Sequence, residues 1–135
     1  MPTLRRIFVP NAAPPPATAR YAHAVEIGDI LHVTGQLPVD PDNPEAALPA
    51  SIEDQTDLVF LNLNRILDAA GYRLENTAFA RIYLSNFDRD YAGLNQVYHR
   101  HFHDQDRLPA RTTIGAAKLG RSALVEIDLV VARAN

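Results

Sequence analysis

Apolar and polar positions change their period several times along the chain, and each change marks an element. Residues 5 to 9 form a short apolar run that predicts a strand. Residues 22 to 27 alternate as a half-buried strand does, and Ile30 to Gly35 continues as its partner across a tight Gly28-Asp29 turn. Pro14, Pro15 and Pro16 make a stiff, extended connector, so residues 1–17 read as a proline-rich leader, flexible or laid over the surface. The stretch from Pro38 to Pro49 mixes prolines with acids and reads as a loop.

The period then becomes helical. Ile52, Thr56, Val59, Phe60, Leu63, Ile66, Leu67 and Ala70 fall on one face of a helix opened by Ser51 with Asp54 and stopped by Gly71. That stripe is core, not a cofactor site. Thr77 to Leu84 reads as a strand. Asp88 or Asp90 is expected to open a second helix with Tyr91, Leu94, Tyr98 and Phe102 inward. Arg111 to Ala116 and Leu124 to Ala132 complete the order β-β-β-α-β-α-β-β. This predicts an α+β sandwich with two helices on one face of a mixed sheet.

The last strand is informative face by face. Val125, Ile127, Leu129 and Val131 make one wholly apolar face, suited to lie under the helices. The other carries Leu124, Glu126, Asp128, Val130 and Ala132, acidic at one end and apolar at the other. Val130 and Ala132 predict that this face is covered too. No third helix is available, so a homo-oligomer with sheets meeting face to face is expected.

The candidate chemistry lies in LPARTTIG, residues 108–115. Arg111 follows a proline turn and opens a β-branched run, which presents a guanidinium at a strand end. Arginine grips a carboxylate through two parallel hydrogen bonds. Glu126 is expected on an adjacent strand as a partly buried acid. Parity places Arg111, Thr113 and Gly115 on one side of their strand. Two readings stay open: Arg111 and Glu126 form a site for a small acid, or they are a structural ion pair.

Composition narrows the classes. At 135 residues the chain suits a single domain spanning 1–135, and 47% hydrophobic content is enough for a core. A net charge of −3 gives no basic stripe for nucleic acid and no case for a membrane surface. No apolar run approaches the ~18 residues of a spanning helix. TLRRIFV at 3–9 resembles a twin-arginine export signal only faintly, because no apolar region follows it. The absence of cysteine excludes thiolate chemistry and fits a cytoplasmic protein. Lys118 is the sole lysine and lies in an expected loop, which disfavours Schiff-base catalysis. His99 and His103 share a helix face at i, i+4 but lack further ligands, so no metal site is expected. His23 and His32 read as packing or edge residues, and Asp40, Asp42 and Glu45 as a plain acidic loop.

HVTGQLPVDP (32–41), DAAGY (68–72), NQVYHRHF (95–102), LPARTTI (108–114) and VEIDLVV (125–131) occur in an order and spacing that resemble the RidA/YjgF family of reactive imine deaminases. The likeness covers roughly residues 18 to 133. It implies a homotrimer of chorismate-mutase-like subunits with sites between subunits, hydrolysing 2-imino or 2-enamino acids to 2-oxo acids and ammonia without a metal or organic cofactor. By the same resemblance Arg111 holds the substrate carboxylate and Glu126 positions or activates water. Tyr21 lines the cleft, Thr34 before Gly35 contacts the ligand, and Asn95 supports the site. The Thr113 carbonyl contacts the hydrolytic water. Thr34 and Thr113 depart from the serine and cysteine of the best-studied members, which bears on the substrate more than on the chemistry. Two alternatives accompany this reading: a deaminase or lyase for a larger unsaturated amino or oxo acid, and a non-catalytic trimer that binds small keto acids.

Overall fold

The computed structural model describes residues 3–134; residues 1, 2 and 135, at the ends of the expected leader and domain, lie outside the described residues. Eight elements follow the expected order: β1 (Leu4–Ile7), β2 (Ala24–Ile27), β3 (Ile30–Gln36), α1 (Ile52–Ala70), β4 (Thr77–Leu84), α2 (Phe87–His101), β5 (Ala110–Gly115) and β6 (Val125–Ala132). The strands form one mixed sheet in the order β1-β2-β3-β6-β4-β5. Only β4 and β5 run parallel, because α2 carries the chain back between them.

Local chemistry sets the boundaries. Gly28 takes φ +58° and closes the β2–β3 hairpin with Ile27 opposite Ile30. The Ser51 hydroxyl accepts the Asp54 N–H at 3.0 Å at the start of α1. The second helix opens earlier than expected: Asn86, not Asp88 or Asp90, is its cap, accepting the Arg89 N–H. Asparagine caps as well as aspartate, and Phe87 continues the turn. Asp90 is instead buried inside α2, paired with Arg89 at 2.9 Å.

Both helices cover the same face of the sheet. The expected stripe of α1 is buried throughout, and Val125, Ile127, Leu129 and Val131 lie beneath it. Truncating Phe60, fully buried here, would cost about 3–5 kcal/mol. Leu94, Tyr98 and Phe102 point inward as expected, but Tyr91 is 41% exposed and stacks on Phe87 instead. The other sheet face carries Tyr83, Glu126, Asp128 and Val130, half-buried, with no helix over it.

Two expectations about neighbours are corrected. Arg111 and Glu126 are not on adjacent strands: β4 lies between β5 and β6. The crossover places β5 on the far side of β4 at the sheet edge, and β6 closes the gap between β3 and β4. Further, α2 ends at His101, so His99 and His103 do not share a helix face. Among the described residues no group of three or more His, Cys, Asp or Glu gathers as a metal site would require. His101 stacks on Phe60 at 4.1 Å and meets Asp57 at 3.3 Å. His23 is a buried packing residue, whereas His32 is exposed on β3.

At the β1–β2 end, Glu26 accepts from Arg5 at 3.1 Å, from the Tyr72 hydroxyl at 2.6 Å and from Arg133. These bonds hold the Glu26 carboxyl below the usual carboxylate range, that of Arg5 contributing most. Burial, with the Glu26 bond, pushes the Tyr72 phenol up to about 12. The cluster ties both ends of the described chain to β2 and to Tyr72, and Arg5 also donates to the Ala70 carbonyl at the end of α1 at 3.3 Å.

Candidate active site

Arg111 is held by a purpose-shaped socket on α2. In the β4–β5 register Arg111 lies beside Ala80 and Thr113 beside Ile82, both fully buried partners, so the two residues face the helices. The parity expected for this strand is thus observed. Arg111 Nε donates to Thr113 Oγ1 at 2.8 Å, and Nη2 donates to Asn95 Oδ1 at 2.6 Å. The guanidinium carbon lies 4.4 Å from the Tyr98 ring centre and 5.8 Å from that of Tyr91. Stacking and two neutral acceptors fix the plane without neutralising its charge. Among the described residues Arg111 has no carboxylate partner, and its remaining donors are uncommitted.

Tyr91, Asn95 and Tyr98 recur at i, i+4 and i+7, one face of a helix. Asn95 was legible only by resemblance, and the two tyrosines read as core. The spacing was the available signal: an aromatic–amide–aromatic stripe can seat a guanidinium.

The second half of the site lies on the opposite face of the sheet. Glu126 pairs with Tyr83 across β6–β4, outward of the buried Val125 and Ile127. Its carboxylate occupies the space over Gly35, where a β-carbon would overlap Oε2 and approach Cδ to 3.0 Å. The β3–β6 register shifts between Val33 and Gln36, which turns the Thr34-Gly35 step toward the carboxylate. Burial, with Asp128 as the lesser cause, raises the Glu126 carboxyl above its ordinary value. Asp128 is itself paired with Arg81 at 3.2 Å. Tyr21 is near enough that burial and then the Glu126 charge push its phenol up, so it remains a hydroxyl donor. The Thr34 hydroxyl donates to the Ala22 carbonyl at 2.7 Å, leaving only its lone pairs free.

The structure therefore gathers the expected residues in two sets: Arg111, Asn95 and Thr113 at the β5 edge, and Tyr21, Thr34, Gly35 and Glu126 on the open face. It does not bring the sets together within one chain. It also removes the ion-pair alternative, since Arg111 and Glu126 project from opposite faces.

The sequence profile described as endoribonuclease L-PSP matches residues 11–133. The chain belongs to this family, also called RidA/YjgF. A RutC family protein of Saccharolobus solfataricus is 36% identical over 127 residues, covering 94% of this chain and 97% of that protein. A relative from Dermatophagoides farinae, named 2-iminobutanoate/2-iminopropanoate deaminase, is 30% identical over 127 residues, covering 94% and 95%. The crystal structure of the YjgF gene product of E. coli superposes with a TM-score of 0.85 at 27% identity, covering 96% of this chain and 99% of that one. The RidA/YjgF chain has the chorismate-mutase-like fold of these proteins, with two helices on a mixed six-stranded sheet. Among the described residues no helix is long and apolar enough to cross a membrane.

Proposed function

We propose that the protein hydrolyses 2-imino acids to 2-oxo acids and ammonia, in clefts where Arg111 of one copy meets Glu126 of the next in a homotrimer. The observation that carries this reading is the socketed Arg111. A guanidinium oriented by Asn95, Thr113 and Tyr98, with free donors and no counter-ion among the described residues, is built to take an external carboxylate. Its position on an edge strand, and the half-covered face bearing Glu126, are both suited to a neighbouring copy.

The chemistry follows from the groups. Arg111 fixes the substrate carboxylate and so places C2, the imine carbon, in one orientation. Glu126, with its raised proton affinity, takes a proton from water as the oxygen attacks C2. The C=N π pair moves to nitrogen, which is protonated, giving a carbinolamine. The proton taken by Glu126 serves for that protonation; transfer of the new hydroxyl's proton to nitrogen then breaks the C–N bond, expelling ammonia and leaving the C2 carbonyl. The Tyr21 hydroxyl can donate to the same intermediate. No step needs a nucleophilic side chain or an electron acceptor. The test is to generate 2-aminoacrylate in situ, which tautomerises to 2-iminopropanoate, and follow keto-acid release. Acceleration proportional to protein is expected; a rate equal to the protein-free rate would refute the assignment.

A further inference from the structure

Against Tyr21 and Gly35 lies a cleft of 620 Å³ whose lining does not include Glu126. Four segments line it: the leader from Ala13 to Ala17, Tyr21 with His23, the stretch from Gly35 to Glu45 in part, and the Gly120-Arg121 turn. Polar side chains, two of them buried, pin these segments. Asn62, fully buried, accepts the Ala13 N–H at 2.7 Å and donates to the Val39 carbonyl at 2.8 Å. His23 accepts the Val9 N–H at 3.0 Å and donates to the Ala13 carbonyl at 2.9 Å. Arg121 donates to the Pro44 and Ala46 carbonyls at 2.8 and 3.1 Å. Arg121 is thus a clasp, not an anion site. The leader is a fixed wall, and a preformed wall lowers the ordering cost of binding.

The lining is mostly apolar, with Pro14, Pro15, Pro16, Leu37 and Val39 prominent. The volume falls in the range of roughly 300–1,000 Å³ usual for small-molecule sites and far exceeds a methyl group. Gly35 and Tyr21 belong to the cleft and to the surroundings of Glu126 at once. The cleft and the surroundings of Glu126 therefore adjoin at Gly35 and Tyr21.

We infer that the cleft is the side-chain subsite, and that the protein's substrates are 2-imino acids with extended apolar side chains, branched or aromatic. The inference rests on the imine-hydrolysis reading for its reaction but not for its binding. Burying each further methylene adds about fourfold in affinity, so a branched side chain gains at least about tenfold over methyl.

The experiment has two arms. Calorimetry compares the affinities of pyruvate, 4-methyl-2-oxopentanoate and phenylpyruvate. Turnover is measured on the matching imines, made in situ by an amino-acid oxidase. The two larger compounds are expected to bind and react at least about tenfold better than the methyl one. Leu37→Trp fills the cleft and should cancel that preference. Gly120→Ala is a milder second variant, since its β-carbon would lie 3.0 Å from Leu37 Cδ1 and crowd the same methyl. Equal affinities in the parent, or a preference untouched by either folded variant, overturns the subsite. A binding preference without imine turnover keeps the subsite and sinks the deaminase reading; turnover without preference does the reverse.

Discussion

Gly35 and Glu126 share one volume: the carboxylate of Glu126 lies where residue 35 would carry a β-carbon. The glycine is needed for space, because its φ is not in the left-handed region. Gly35→Ala must therefore push the carboxylate aside. Turnover is expected to fall roughly 100-fold, the usual cost of about 1 Å of misplacement, with little change in melting temperature. Unchanged turnover in steady-state assays would show that Glu126 is not the proton acceptor.

Arg111 should act on binding more than on stability. Among the described residues it has no carboxylate partner, so Arg111→Ala leaves no orphaned buried charge, and about 1–2 kcal/mol of stacking and hydrogen bonding is lost. Affinity for a 2-oxo acid should fall at least about tenfold, and Arg111→Lys should recover little of it. Calorimetry beside thermal melts checks both. A melt far below the parent's would show that Arg111 serves the fold rather than a ligand.

Glu126→Gln should bind a 2-oxo acid normally yet lose most turnover, together with the acid limb of the pH–rate profile. Light scattering should give a trimer at micromolar concentration. Because each cleft takes Arg111 and Glu126 from different copies, unfolding and refolding a mixture of Arg111→Ala and Glu126→Gln chains should rebuild about a quarter of the clefts intact. Activity from two inactive variants is the expected outcome; a silent mixture or a monomer refutes the shared site.

The Glu26 cluster predicts a pH dependence of stability. Its carboxyl is held below the ordinary 4.5 in the folded chain, by Arg5 first and Tyr72 next. A depressed folded value means the contribution is fully present above the unfolded value and is lost as pH falls through the folded one. Glu26→Gln should therefore lower the melting temperature at neutral pH, and the gap to the parent should close as pH falls through and below the usual carboxylate range. A gap that persists there would mean the effect is one of packing, not charge.

Much of the architecture was legible because it depends on local periodicity. The α1 stripe, the Gly28 turn and the two faces of β6 follow from residues a few positions apart. The cap of α2 was displaced because Asn86, Asp88 and Asp90 compete as equivalent signals. Asn62 escaped notice for a different reason. Polar residues on a helix face read as solvated, yet Asn62 is buried to serve the Ala13 N–H and Val39 carbonyl, partners remote in sequence.

The sequence by itself determined the element order, the inward faces and, through its motifs, the family. Periods of two and 3.6 are properties of consecutive residues, and motif spacing is carried by the chain itself. Only the tertiary structure decided that β4 separates β5 from β6, and that the registers on β4 put Arg111 and Glu126 on opposite faces of the sheet. Strand neighbours are chosen by how the α2 crossover and the β6 return pack on the helices, a contest between long-range contacts that local pattern does not encode. The same packing turned the leader into a wall of the cleft, through buried bonds from Asn62 and His23 whose geometry exists only once the chain has closed.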